Sequence, residues 1–157
     1  MDYVPKRLFT PEQANKMLPL VRRIAEDVSG AYRDLVTDYE ACKDILSIDP
    51  ETLTEGHREE LDDVKRRLEM KQARVAEYAE ELDELGVLLK GEADGLLDFP
   101  CEHEGRVVFL CWKLGESQIR YWHEIEAGFR GRQPLWTDDP ESSSTVAAEP
   151  TAGPNQD

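Results

Sequence analysis

No run of about 18 apolar residues occurs anywhere in the chain, so no segment is long and oily enough to form a membrane-spanning helix. The opening MDYVPKRLFT has no apolar core of a secretory signal. Cysteine is sparse and odd in number: Cys42, Cys101 and Cys111. That argues against a disulfide framework and for reduced thiols, and a cytoplasmic location is expected. Basic residues are outnumbered, 19 Lys and Arg against 34 Asp and Glu, for a formal charge of −15. Phosphate neutralisation by Lys and Arg supplies most non-specific nucleic-acid affinity, so this balance opposes DNA or RNA binding and opposes anionic membrane surfaces. Its ordinary consequence is solubility of exposed helices. The glycines follow neither G-x-G-x-x-G nor Walker spacing, which excludes the common phosphate-cradling loops. No HExxH occurs, and Arg120 stands where a di-iron Glu-x-x-His motif ending at His123 needs a glutamate.

What is present begins with helix patterning. At 157 residues the chain has the length of one domain, expected over residues 1–136. Thr10-Pro11-Glu12-Gln13 has the form of a capping box with proline at the first helical position. Pro19 follows within two turns and predicts either one bent helix or a short helix followed by a long one that carries Pro19 in its first turn. The second is preferred slightly. Val21, Val28, Leu35 and Cys42 then recur every seven residues, an a/d stripe that predicts helix to residue 46. Asp49-Pro50 stops it. Thr54 is a candidate cap for a second helix over residues 55–90, striped by Leu61, Leu68, Val75 and Leu82 and interrupted by Lys71 and Gln72. Two matched stripes on a short connection predict a long, antiparallel, coiled-coil-like helical hairpin. A two-helix layer buries one face of each helix, so a C-terminal cap or a second copy is needed to complete a core.

The period changes after Gly95. Leu96 to Pro100 and Val107 to Trp112 are rich in β-formers and flank the polar turn His103-Glu104-Gly105-Arg106, a β-hairpin signal. A short helix is expected over residues 118–127, and residues 95–136 together form the expected cap. The fold class is therefore mainly α with a small β-hairpin. The Pro/Ser/Ala-rich acidic tail, residues 137–157, is expected to be disordered.

Residues 95–135 concentrate two cysteines, two histidines, two tryptophans and several arginines, and hold the candidate chemistry. His123 with Glu116 suggests a divalent-metal site, since imidazole plus carboxylate suits zinc, manganese or non-haem iron; the alternative is a packed histidine bonded to a carbonyl or to Glu116. Arg106, Arg120, Arg130 and Arg132, with Trp112 and Trp122 nearby, suggest a pocket for a carboxylate or phosphate; the alternative is that Arg132 and Arg106 pair with Glu116 or Asp98 and pin the loop. Cys111 with His123 would make a nucleophilic dyad, but its apolar strand favours an inert buried thiol. Trp112 and Trp122 fit a core as well as a ligand wall.

The strings DFP, GR.V.LCW.LGE and I..WHE...GF.GRQPL, with the opening LFTPEQAN, resemble a bacterial family known as domain of unknown function 2203, over about residues 7–135. The resemblance implies that Asp98, Phe99, Pro100, Gly105, Arg106, Cys111, Trp112, Gly115, Glu116, Trp122, His123, Gly128, Gly131 and Arg132 belong to a shared motif, with Cys101 and His103 outside it. It implies no activity. Two functions follow from the residues: a non-enzymatic interaction module in which the helices form a homodimer or bind a helical partner, or a small metal- or anion-binding enzyme or sensor built on Glu116, His123 and Arg132 with Trp122, Arg106 and Arg120 around them.

Overall fold

The computed structural model describes residues 3–136; the tail expected to be disordered, residues 137–157, lies outside them. Helix α1 spans Pro11–Ala41. Thr10 Oγ1 accepts the Gln13 amide at 3.1 Å and Gln13 Oε1 accepts the Thr10 amide at 3.0 Å, so two amides with no helical partner satisfy each other. Pro19 lies inside this helix and does not divide it, contrary to the preferred reading. The lost backbone bond falls on an exposed position, while Ala14, Leu18, Val21, Ile24, Ala25 and Val28 are buried on both sides of it. Burial of several apolar side chains at about 1.5–3 kcal/mol each outweighs the roughly 3 kcal/mol cost of one interior proline.

A single turn, α2 (Lys43–Leu46), and a 3₁₀ turn at Pro50–Thr52 lead to α3 (Glu55–Glu84), capped by Thr54 Oγ1 on the His57 amide at 3.1 Å. The second helix was expected to reach residue 90 and stops short. Gly86, at φ 88°, takes the left-handed conformation; its amide bonds Asp83 O and that of Val87 bonds Leu82 O, both at 2.9 Å. This is a Schellman stop, and it turns the next residues into a strand.

The sheet is larger than the expected hairpin. Five antiparallel strands run in sequence order: β1 (Leu88–Gly91), β2 (Leu96–His103), β3 (Arg106–Lys113), β4 (Tyr121–His123) and β5 (Gln133–Pro134). β2 and β3 pair from Leu96↔Lys113 to His103↔Arg106 around Glu104 and Gly105, whose φ values of 54° and 80° suit a tight primed turn. The short helix expected over residues 118–127 is instead β4 and turns. Ile119 and Trp122 are three apart, a helical spacing, but β3 offers an open edge and β4 fills it, with Phe109↔His123 and Cys111↔Tyr121. Pro100 is tolerated in β2 because β1 does not extend beside it; its carbonyl accepts the Phe9 amide at 2.7 Å on that side.

The strands alternate cleanly. Leu97, Phe99, Cys101, Val108, Leu110, Trp112 and Trp122 join Phe9, Leu18, Val21, Ile24, Ala25, Leu82 and Val87 in one apolar core. Ser29 Oγ and Arg33 Nη2 both donate to Ala93 O in the β1–β2 turn. Farther out the helices hold each other: Arg67 pairs with Asp38, and Lys71 with Asp34 and Asp38. Between residues 30 and 74, Val64 is the sole buried apolar side chain among the described residues. No described helix is long and apolar enough to cross a membrane.

Candidate functional site

Period-two alternation sends Leu97, Phe99, Leu110, Trp112 and Trp122 toward the helices, so their strand neighbours Asp98, Phe109, Cys111 and His123 point to the opposite face. These four are at most 3% exposed. Asp98 and Cys111 are direct cross-strand partners, and His123 stands opposite Phe109. Lys90 closes the group. The β1–β2 register shifts between Leu89 and Gly91, and a bulge of this kind re-aims the extra side chain. Lys90 Nζ lies 3.1 Å from Asp98 Oδ2 and 4.4 Å from the centre of the Phe109 ring. Tyr3 packs edge-on against Phe109.

His123 Nε2 faces both oxygens of Asp98, at 3.1 and 3.2 Å, and Nδ1 lies 2.7 Å from the Glu124 carbonyl oxygen. Each ring nitrogen therefore meets an acceptor, and the imidazolium, with two N–H donors, is the species that fits. Burial opposes that charge, but the bond to Asp98, the Glu124 carbonyl and the charge of Asp98 outweigh it, so the pKa is raised above 6.5. Burial, reinforced by the charge of Asp98, pushes the Cys111 thiol far above its ordinary range. A nucleophilic Cys111–His123 dyad does not fit: the thiol is buried and neither ring nitrogen is left to take its proton.

The other candidates form a second cluster. Arg132 Nη2 donates to Glu116 Oε1 at 2.9 Å and Oε2 at 2.7 Å, and Oε1 also accepts the Lys113 amide at 2.9 Å. The Arg132 guanidinium lies over the Tyr121 and Phe129 rings at 4.1 and 4.7 Å. Glu116, Tyr121, Phe129, Arg130 and Arg132 line one shallow groove. Arg106 is bound by Glu124 and Glu104, with its guanidinium over the Trp122 ring. Trp122 belongs to the apolar core. Arg120 is half-buried before β4, and its carbonyl accepts the Leu135 amide at 2.9 Å. Trp112 Nε1 donates to Glu116 O at 2.9 Å, tying the groove to the core.

Glu116 and Arg132 thus come together, while His123 goes to Asp98. The two clusters are neighbours, since the charges of Arg132 and Glu116 both reach Cys111. Asp98 was legible only as a motif residue and as a conceivable arginine partner. The signal for more was a lone carboxylate in Leu96-Leu97-Asp98-Phe99-Pro100, where its strand neighbours are all apolar.

Residues 7–135 match the family model described as Uncharacterized conserved protein (DUF2203). The chain belongs to that family. The matched span takes in both long helices and, among the described residues, every strand of this DUF2203 chain, and so both polar clusters. No curated protein and no solved structure matches it.

Proposed function

We propose that this DUF2203 chain is a non-enzymatic protein-interaction or structural module, one domain over residues 1–136, acting through its long helices as a coiled-coil-like hairpin. It works as a homodimer or against a helical partner. The observation that carries the reading is the change in burial along the helix pair. Where the sheet backs it, the stripe is sealed by Leu18, Val21, Ala25 and Leu82. Beyond, Leu35, Leu61 and Leu68 are half-buried, and Val36, Tyr39 and Met70 are 40%, 50% and 69% exposed. A third or fourth helix laid on this seam buries what a pair cannot. Three free thiols are in keeping with a cytoplasmic location. Light scattering and cross-linked partner capture test the reading. Self-association or a helical partner is expected, with binding lost in Tyr39→Glu and Met70→Glu. A strict monomer that captures nothing overturns it.

A second reading, a small anion-binding enzyme or sensor around Glu116 and Arg132, with His123 in the neighbouring cluster, is favoured by one observation. Arg132 Nε is buried without an acceptor, an unusual state for a guanidinium. A thermal shift with phosphate or short carboxylates, abolished in Arg132→Ala, supports this reading; no shift with any of them removes it.

A further inference from the structure

Asp98, Cys111 and His123 each offer one ligand atom, all three are buried, and these atoms lie within 4.8 Å of one another. We propose that the three form a binding site for a zinc-class divalent cation on the sheet face away from the helices. Thiolate, imidazole and carboxylate form a donor set that suits zinc. Ligands about 2.0–2.3 Å from a zinc ion sit roughly 3.3–3.8 Å from one another in a tetrahedron, so side-chain rotation on fixed strands closes the site.

The supporting shell is built as well. The Glu124 carbonyl holds the Nδ1–H of His123 and so directs Nε2 at Asp98 and the metal position. Lys90 occupies Asp98 Oδ2, leaving Oδ1 for the metal. Outer partners of this kind fix ligand orientation in metal sites. Binding displaces the Cys111 thiol proton and the Nε2 proton to solvent, so two positive charges arrive as two leave. The described protein supplies three ligands, and water takes the fourth position. Lys90, about a third exposed, is the side chain that swings to let the ion in.

Cobalt(II) titration of the metal-free full-length chain tests this. One ion per chain is expected, with tetrahedral d–d bands and a near-ultraviolet thiolate-to-cobalt band that zinc(II) abolishes by displacement. Cys111→Ser loses that band, and His123→Ala weakens binding by more than the roughly 10–100-fold that an outer-shell partner costs. Failure to bind overturns the proposal, as does binding without a thiolate band, which assigns the ion to surface carboxylates. A band that survives Cys111→Ser overturns it equally. Should Cys111→Ser fail to fold, the Cys42→Ser/Cys101→Ser chain, with Cys111 as its only thiol, decides: it keeps the full band or the proposal is wrong.

Discussion

The sheet-backed body and the distal part of the helix pair carry the same heptad pattern and are held together differently. In the body, Val21 and Ala25 are fully buried because the strands supply a second layer of Leu97, Phe99, Leu110 and Trp112. In the distal part, Leu35 and Leu68 occupy equivalent stripe positions and remain half-buried, and Arg67–Asp38 and Lys71–Asp34 carry the contact. A repeat in the sequence specifies which face is apolar. How dry that face becomes depends on what else the fold brings against it.

The widest gap between the two regions is expected in thiol chemistry. Cys42 is half-buried in the distal region, whereas Cys101 and Cys111 are buried in strands, and burial raises the Cys101 thiol to about 11. One thiol should react with a disulfide reagent in the native chain. The other two should wait for opening of the sheet, slower by about four orders of magnitude or more for a stability of about 5 kcal/mol or above. Fast labelling of all three would erase the distinction.

Trp112→Ala removes the largest fully buried side chain of the core and should cost about 3–5 kcal/mol by urea denaturation. A loss under about 1 kcal/mol would mean that the helix–sheet interface is not what stabilises the body. Asp98→Ala, on the other face, leaves His123 and Lys90 facing no carboxylate, and the expected loss is about 3 kcal/mol. A neutral outcome would show that water already reaches the cluster. In the distal region, Leu68→Ala should cost only about 1 kcal/mol in a monomer, since a half-buried side chain forfeits a fraction of the usual term. A larger loss that grows with protein concentration would mean that a partner copy covers the seam.

The smallest effect concerns acid. The Arg67 hydrogen bond, joined by Lys71, holds the Asp38 carboxyl well below the usual carboxylate range. A depressed folded-state pKa gives stability that is present above the unfolded value of about 3.9 and is lost as pH falls through the folded value. Protection of the amides near Asp38 and Arg67, corrected for the intrinsic exchange rate at each pH, should therefore fall below about pH 4, while the apolar face of the sheet is spared until global unfolding. An Asp38→Asn chain should show no such acid step.

Much of the helical part was legible because its signals are local. The Thr10–Gln13 box and the Thr54 cap need only neighbours in the chain, and each sits at the start of its helix. The turn at Glu104 and Gly105 was legible for the same reason. The strand at Tyr121 was not, since its pattern also fits a helix and only the free edge of β3 distinguishes them. The candidate site divided in the same way. Glu116, Arg132 and His123 stood out as polar residues among glycines and tryptophans, but Asp98 lies 25 residues from His123 and meets it only across the sheet.

The amino-acid order by itself determined where the helices start, which faces are apolar, that the chain is strongly acidic and that its chemistry is concentrated after Gly95. These follow from spacing, capping and composition, which act over a few residues. Tertiary structure decided the rest: that Pro19 sits in an unbroken helix, that Leu88 and Tyr121 enter strands, and that Asp98, Cys111 and His123 share a buried face. Strand pairing and burial join residues far apart in sequence, and no local period encodes which edge a strand will find.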